Sequence, residues 1–414
     1  MDHHSHSTNN HKWPARLFTA AELRRYSSGD ALKHLPCCRS RSAKITTMVC
    51  SLLVLICLLL WYFEVGVYQD HLNIVNGGFV ADTNSLIYRD CSRLADTWGT
   101  MVSSHGIKNS ATFLFAASNG QASPRKVDEY VLQTRCSLRP HRIATVYVTA
   151  PHLHAFSKMV HLVPFPFVLI SGDADTTVPQ DVRGWADIAD SPNVVKWYTQ
   201  NAGYSSIATR PGMRKLNYLP IGLDLHSLHV RASAVHHWGP AASPVEQTSL
   251  LTAIAEAALP LSQRSPLVFC NFQLNQPRRT FFFSDRAEAE KVLVQKGADV
   301  VYLQSAVRTR AETWAEQATY AFVASPHGVG LDCHRTWEAM ALGSVPIVKA
   351  GPLDSLYEGL PVLIVDSWEN VTPELLRDKQ QEFAANSARV GPGGDRPEQL
   401  SLQFWIDRVS QLDA

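Results

Sequence analysis

The sequence predicts an α/β protein in which two Rossmann-like domains follow an N-terminal transmembrane helix. Three features of the chain predict it: a long uncharged apolar run near the N-terminus, an alternation of strand and helix patterns beyond it, and a second start of that alternation past the middle of the chain. The 414 residues suffice for two globular domains and an appendage. The net charge of only +1 argues against a nucleic-acid-binding protein.

The apolar run is Ile45–Phe63, nineteen residues without a charge, and it ends in Trp61, Tyr62 and Phe63. This length and the aromatic end are typical of a transmembrane helix. Two alternatives are a buried core helix, which would normally carry a polar stripe, and a cleavable signal peptide. The signal peptide would need small residues where the three aromatic residues stand. The transmembrane helix is therefore the favoured interpretation.

The charges around this helix predict its orientation. Residues 1–63 carry a net charge of +5, which leaves −4 for the rest of the chain. By the positive-inside rule, residues 1–44 form a disordered cytosolic tail, and residues 64–414 lie in the lumen, as in type II membrane proteins. The short span favours the thinner membranes of the Golgi or the endoplasmic reticulum over the plasma membrane.

The lumenal part contains two successive sets of strands and helices, as expected for two doubly wound domains with parallel sheets. Residues 64–105 form a stem and entry segment, 106–260 the first domain, 261–390 the second domain, and 391–414 a linker and a C-terminal helix that could fold back on the first domain. The strands predicted for the first domain are Thr112–Ala117, Ala144–Thr149, Phe167–Ser171, Val194–Tyr198 and Leu216–Pro220. Those predicted for the second domain are Leu267–Asn271, Asp299–Tyr302, Ala321–Ser325, Val345–Val348 and Pro361–Val365.

Four cysteines lie in the predicted lumenal part: Cys91, Cys136, Cys270 and Cys333. An oxidising lumen permits up to two disulfides among them, and three pairings are possible. The sequence does not choose among these pairings.

A glycine-rich turn follows the predicted strand Ala321–Ser325. It contains Gly328 and Gly330 and leads into a helix whose N-cap we predict to be Asp332. Glycines let a backbone approach a ligand closely, and the free N–H groups at a helix start favour an anion such as a diphosphate. A tight turn without a ligand is the alternative.

The turn and its helix closely resemble the C-terminal motif of exostosin-type glycosyltransferases and related algal and protist transferases. The resemblance covers roughly residues 165–385 and extends upstream through Phe167–Pro179, Lys196–Asn201 and Leu219–His226. The residues that carry its strongest part are Ser325, Pro326, Gly328, Gly330, Leu331, Asp332, Arg335, Glu338, Ala339, Gly343, Pro346 and Ile347.

The resemblance implies the GT-B arrangement of two Rossmann-like domains, a type II Golgi protein, and a nucleotide sugar bound mainly by the second domain. Glu338 would then accept hydrogen bonds from the ribose hydroxyls. Arg335 would pair either with the diphosphate or with Asp332. The position of Arg278 and Arg279 after the first strand of the second domain predicts that they stabilise the departing nucleoside diphosphate; the alternative is that they are simply solvated. The expected donor-binding residues are Asn271, Arg278, Arg279, Ser325, His327, Gly328, Gly330, Asp332, Arg335 and Glu338.

Acidic residues end two strands of the first domain. Asp173 and Asp175 follow the run FVLISG, and Asp224 precedes His226 in the segment PIGLDLH. At the carboxyl end of a parallel sheet such residues face the cleft where ligands bind, so one of these acids is predicted to deprotonate the acceptor hydroxyl, and His226 is a further possible base. Alternatively, the acids cap turns, or Asp173 and Asp175 hold an essential metal ion as in the GT-A fold.

The sequence thus predicts a Golgi or endoplasmic reticulum transferase that moves a sugar from a nucleotide sugar to a hydroxyl of a glycan or glycoprotein. The nucleotide sugar is a co-substrate, no further cofactor or metal ligand is predicted, and a divalent metal is not expected to be essential. Its partners are the donor, the glycan acceptor and the membrane contacted by Ile45–Phe63. The alternative function is a non-catalytic lumenal glycan-binding protein with a degenerate transferase fold.

The charge asymmetry around Ile45–Phe63 gives a test of topology. In sealed microsomes, added protease should remove residues 1–44 and leave residues 64–414 intact, because only the positively charged side remains in the cytosol. Immunoblotting with antibodies against each part checks the result, with detergent-opened vesicles as the control. Digestion of the large fragment in intact vesicles would refute the orientation.

Overall fold

The computed structural model describes most of the predicted lumenal part. The described residues are 94–117, 130–134, 136, 142–203, 210–229, 238–272, 284–304, 306, 308–388 and 396–411. All of them belong to one compact unit, residues 74–414. The predicted transmembrane span Ile45–Phe63 lies outside them. Within the described ranges, no helix combines the length and the apolar character needed to cross a bilayer.

The first lobe is built on a six-stranded sheet in the order β2-β1-β3-β4-β5-β6. Its strands are β1 (Phe113–Ala117), β2 (Tyr130–Thr134), β3 (Ala144–Thr149), β4 (Phe167–Gly172), β5 (Val194–Thr199) and β6 (Leu216–Tyr218). Five strands are parallel, and β2 adds an antiparallel edge that the sequence did not predict. The parallel strands follow chain order without a reversal, so this sheet winds in one direction and differs from the doubly wound order expected.

The burial of the central strands on both faces explains why their sequences lack a strict alternation of apolar and polar residues. Every residue of β4 is buried. Val168 and Ile170 pack into one apolar cluster, while Phe167 and Leu169 pack into another on the opposite face of the sheet. Strands covered on both faces read as continuous apolar runs. The helices around this sheet are α1 (Leu94–Trp98), α2 (Ser104–Ser110), α3 (Leu153–Ser157) and α4 (Trp185–Asp190).

The second lobe holds a five-stranded, fully parallel sheet in the order β11-β10-β9-β7-β8. Its strands are β7 (Ser265–Cys270), β8 (Val301–Leu303), β9 (Tyr320–Ala324), β10 (Val345–Lys349) and β11 (Leu363–Val365). Its helices are α5 (Pro244–Ala257), α6 (Ser284–Gln295), α7 (Arg310–Gln317), α8 (His334–Ala341) and α9 (Pro373–Ala388). The predicted α/β class with two parallel sheets is confirmed.

The strand order of the second sheet reverses at β7, because β8 lies on one side of it and β9 on the other. Such a reversal is a topological switch point, where the loops after the two strands diverge and leave a crevice at their carboxyl ends. Asn271 follows β7, and the glycine-rich turn follows β9. The fold therefore brings Asn271 and the glycine-rich turn, both predicted to bind the donor, to the same crevice.

A buried arginine fixes the joint between the lobes. Arg264 stands just before β7, and its guanidinium donates hydrogen bonds to the carbonyls of Leu259 and Leu342 and to the hydroxyl of Ser344. Burial lowers its pKa to about 10. The joint predicted from its polar residues is therefore tied to the end of α8 and the start of β10.

The last helix of the described residues is α10 (Leu402–Ser410), which returns to the first lobe. Leu402 N–H donates to the carbonyl of Thr100 at 2.8 Å, and Arg142 pairs with Asp407 at 3.1 Å. The apolar face of this helix, which includes the almost fully buried Trp405, joins the larger of the first lobe's apolar clusters. The C-terminal helix thus closes over the first sheet, as the sequence suggested.

The cysteines divide into two kinds. Cys136 is disulfide-bonded, whereas Cys270 and Cys333 are free thiols. The chain therefore does not form two disulfides among its four predicted lumenal cysteines. Burial raises the pKa of Cys270 to about 12, so this thiol stays protonated.

Replacement of Trp405 tests how strongly α10 stabilises the first lobe. Trp405→Ala should lower the free energy of unfolding by about 3–5 kcal/mol, because a large buried side chain is removed and a cavity remains. Gln403→Ala, on the exposed face of the same helix, is the matched control and should change it little. Urea unfolding of the full-length protein measures both, and equal effects would contradict the packing role of Trp405.

Candidate functional site

The site lies where the two lobes meet, at the carboxyl ends of strands from both sheets. Asp173 follows β4, Asn201 lies just beyond β5, and Asp224 follows β6. Hydrogen bonds join this edge to the loop after β9: Asp332 N–H donates to Asn201 Oδ1 at 2.8 Å, and Ile221 N–H donates to Asp332 Oδ2 at 2.8 Å. The strand ends of the first lobe therefore face the glycine-rich turn of the second lobe.

Asp332 joins the lobes and does not cap a helix, so the predicted N-cap is wrong. Cys333 occupies the N-cap position of α8 without a side-chain bond. The Asp332 carboxylate is buried instead, because donors from both lobes surround it. It accepts hydrogen bonds from Ile221 N–H, Cys333 N–H, Trp337 Nε1 and Tyr357 Oη. This predicted donor-binding residue thus fixes the turn relative to the first lobe.

Asn201 is the matching residue of the first lobe. Its backbone is left-handed, with a φ of 52°, and its side-chain Nδ2 donates to the carbonyl of Ala174 at 2.9 Å. A Cβ atom on Gly330 would lie 2.9 Å from Asn201 Oδ1. The second glycine of the turn is therefore required for contact between the lobes. Sequence reasoning did not single out Asn201, although it ends the matched segment Lys196–Asn201.

The first glycine of the turn makes room for an arginine that the sequence did not reveal. A Cβ atom on Gly328 would lie 2.6 Å from Nη2 of Arg286, a half-buried residue of α6. Burial lowers the pKa of Arg286; the Cys333 sulfur opposes this effect, and the charge of Arg335 adds to it. Arg286 and Arg335 are thus close enough for their charges to act on one another.

Arg335 lies at the switch point itself. Its Nε donates to Asn271 Oδ1 at 2.8 Å, which connects α8 to the end of β7. The alternative partner considered for Arg335, Asp332, is occupied by other donors. A second cation, Arg286, lies against Gly328, and the charge of Arg335 lowers the pKa of Arg286. Two guanidinium groups whose charges act on one another favour a nearby anion, because it offsets their mutual repulsion.

The remaining predicted donor residues on the turn position its backbone. Ser325 is buried, and its hydroxyl lies 2.8 Å from that of Thr336. His327 N–H donates to Asp285 Oδ2 at 2.9 Å, and the other oxygen of this buried aspartate accepts from Trp368 Nε1. Arg278 and Arg279 lie outside the described residues.

Glu338 faces α7. Its Oε2 lies 3.3 Å from Trp314 Nε1, and its Oε1 lies 3.9 Å from Nη1 of Arg310. The side chain is 15% exposed. A carboxylate holds more lone pairs than these two contacts use. A hydrogen bond from a ribose hydroxyl to Glu338 therefore stays a prediction.

Asp224 is buried and contacts a cation, Arg310, and a titratable imidazole, His226. Its Oδ2 lies 2.8 Å from Arg310 Nη2, and its Oδ1 lies 3.1 Å from His226 Nδ1. Burial raises its pKa, but the charges of Arg310, His334 and His226 outweigh this and hold the pKa well below the usual range. So weak a base is poorly suited to the proton-acceptor role predicted for Asp224, and the geometry favours orientation of His226.

Asp173 is held in a similar way. Its Oδ1 lies 3.2 Å from His105 Nε2, and its Oδ2 lies 2.7 Å from Lys108 Nζ. Its backbone is left-handed, with a φ of 60°, and its N–H donates to the Gln200 side chain. Burial raises its pKa, but the His105 hydrogen bond and the Lys108 charge outweigh this, so the pKa lies below its usual range. The predicted base role of Asp173 meets the same objection, and Asp175 is exposed.

Three histidines lie in a row beside the two aspartates. The rings of His105 and His226 stack with 4.8 Å between centroids, and those of His226 and His334 lie 5.8 Å apart. Burial lowers the pKa of His226, against the charge of Asp224, so its imidazole is neutral near pH 7. Sequence reasoning weighed only His226, because His105 and His334 lie far from it in the chain.

The comparisons with known proteins give no name to this arrangement. No protein-family model matches the chain, and no curated protein matches it.

The pairing of Asp173 gives a prediction about pH. Asp173→Asn should lower the free energy of unfolding by about 1–3 kcal/mol at pH 7, because two charge-assisted hydrogen bonds are lost. The folded-state pKa is depressed, so this stabilisation is complete above the unfolded value of about 4 and is lost as the pH falls below it.

Urea unfolding of the full-length protein between pH 7 and pH 3 measures this difference. Asp175→Asn, an exposed neighbour, is the control and should match the wild type throughout. A difference for Asp173→Asn that stays constant down to pH 3 would contradict the assigned ion pair.

Proposed function

We propose that the chain is a glycosyltransferase that moves a sugar from a nucleotide-sugar donor to a hydroxyl of a glycan or glycoprotein. The observation that carries this proposal is the placing of two arginines at the switch point of the second sheet, with Arg286 against Gly328 and Arg335 bound to Asn271. The resemblance of the turn and α8 to the exostosin-type motif supports it. The GT-B arrangement of two Rossmann-like domains belongs to the same proposal.

The arginine pair fits the diphosphate of a nucleotide sugar. Each guanidinium offers paired N–H donors that match phosphate oxygens, and half-burial strengthens their attraction for an anion. In sugar transfer, the bond between the sugar carbon and the diphosphate oxygen breaks, and negative charge develops on the departing nucleoside diphosphate. Cations already fixed in place stabilise that charge as it forms. Arg278 and Arg279 belong to the same proposed site, from the loop after β7.

The acceptor is proposed to enter from the first lobe. Its hydroxyl must lose a proton as it attacks the sugar carbon. The carboxylates of Asp173 and Asp224 are weak bases here, whereas each lies within reach of an imidazole, His105 or His226. An imidazole oriented by a carboxylate is the usual arrangement of a general base near neutral pH. The predicted acids thus take a positioning role in this scheme.

The GT-A alternative, with a metal on Asp173 and Asp175, is less well supported. Both oxygens of Asp173 already contact His105 and Lys108. The second parallel sheet of the chain would also have no role in a single-domain transferase. The proposed location remains a Golgi or endoplasmic reticulum membrane, with a single type II span at Ile45–Phe63.

The donor site is tested by nucleotide binding to the full-length protein. Arg286→Gln and Arg335→Gln should each weaken binding of the cognate nucleoside diphosphate by about ten- to a hundredfold, since each removes a charge-assisted hydrogen bond. Arg377→Gln, an exposed arginine paired with Glu374 on α9, is the control. Calorimetric titration with UDP, GDP and the matching monophosphates measures the effect.

The diphosphate should bind more tightly than the monophosphate, and that preference should shrink in both variants. Equal affinity of wild type and variants would refute the donor site. Turnover separates the enzyme from the alternative glycan-binding protein: a wild-type protein that binds the nucleotide and glycan but never hydrolyses or transfers from any nucleotide sugar would be a degenerate transferase.

A further inference from the structure

A second group of side chains lies between the lobes and is distinct from the arginine pair. Asp224, His226 and His334, here called the interlobe triad, place one potential metal-ligand atom each within 4.8 Å of the others. Two of them follow β6 in the first lobe, and the third is the first residue of α8 in the second lobe. Among the described residues this is the group whose histidine, cysteine or acidic side chains converge in this way.

The histidine from the second lobe is already oriented for ligation. His334 Nδ1 lies 2.7 Å from the carbonyl oxygen of Gly222. A carbonyl only accepts, so Nδ1 carries the proton and the lone pair resides on Nε2. Histidines that bind metals commonly donate their other ring N–H to a backbone carbonyl in this manner. His334 is therefore fixed in the tautomer that a metal requires.

The other two members have a compatible spacing. Asp224 Oδ1 and His226 Nδ1 are 3.1 Å apart. Two ligands about 2.0–2.1 Å from a tetrahedral zinc ion are separated by about 3.3 Å. An ion between them would replace the shared proton with little movement. Asp224 Oδ2 remains bound to Arg310, which acts as the outer-shell hydrogen-bond donor that ligating carboxylates usually have.

The charges around the triad can accept a cation. Three carboxylates contribute: that of Asp224 belongs to the triad, and those of Asp173 and Glu338 connect to it through His105 and Arg310. Two fixed cations, Lys108 and Arg310, oppose them. The net charge of this group is therefore negative before an ion binds. A divalent ion would change it to a single positive charge.

We propose that the interlobe triad binds a divalent transition-metal ion of the zinc class and thereby connects the two lobes. Two imidazole nitrogens and one carboxylate oxygen are a donor set that zinc accepts, and three protein ligands leave a position for water or a substrate oxygen. The proposal does not rest on the proposed function; with an ion bound, His226 is a ligand, and the general base of that function is His105. The proposed site also differs from the GT-A metal site, since Asp173 and Asp175 are not ligands.

The test uses the full-length protein with its N-terminal histidines neutralised, because His3, His4, His6 and His11 would bind zinc by themselves. In this background, competition with a chromogenic chelator should show one tight zinc ion per chain. His226→Gln and His334→Gln should each weaken zinc binding more than about a hundredfold, beyond the loss from an outer-shell partner. The exposed His161→Gln is the matched control.

A fourth variant guards against loss of folding. His334→Cys keeps a zinc ligand, so it should retain binding that His334→Gln loses. Zinc should also raise the thermal midpoint of the background protein and of the His161→Gln variant, and leave that of His334→Gln unchanged. UDP or GDP binding in the presence of EDTA should persist, which separates a failure of this proposal from a failure of the donor site.

Zinc binding of equal stoichiometry and affinity in the background protein and in both triad glutamine variants would overturn the proposal. Absence of any tight zinc ion in the background protein would overturn it as well. X-ray absorption at the zinc edge gives an independent readout, with two imidazoles and one carboxylate expected in the coordination sphere.

Discussion

The buried carboxylate of Asp332 is the constraint on which the rest of the site depends. Burial raises its pKa, and hydrogen bonds from both lobes oppose that effect. A buried charge is tolerated only when donors surround it, so these donors are fixed in position by the need to satisfy it. Ile221 belongs to the first lobe and Trp337 to α8. The satisfied charge thus sets the place of the glycine-rich turn against the first sheet, and with it the place of Arg335.

A second polar link, between Asp224 and Arg310, repeats this arrangement a short distance away. The guanidinium of Arg310 also lies over the ring of Trp238, 5.0 Å from its centroid, and near Glu338. Between the two links runs a continuous apolar cluster with residues of both lobes, Leu225 and Trp314 among them. Non-directional burial supplies the attraction between the lobes, while the two buried ion contacts specify one relative position.

Sequence patterns predicted the strands well because each is a short apolar run between turn residues. The predicted Ala144–Thr149 strand is reproduced without change, whereas β2 was missed because its edge position needs no long apolar run. The sequence shows the glycines of the turn but not why they are needed. Gly330 packs against Asn201 and Gly328 against Arg286, and both neighbours are distant in the sequence. The contact with Asn201 depends on how the lobes meet, and the contact with Arg286 depends on how α6 packs within the second lobe; local patterns encode neither. The membrane span and the paired arginines Arg278 and Arg279 fall outside the described residues.

The two halves of the site differ in what holds them together. Arg286, Arg335 and Asn271 all belong to the second lobe, so the anion site requires only the packing of that lobe. The histidine row combines His105 and His226 of the first lobe with His334 of the second. Its geometry therefore depends on lobe contact, through Asp332 and Arg310. In the proposed function, a donor held by the second lobe would therefore meet its general base only where both lobes are in contact.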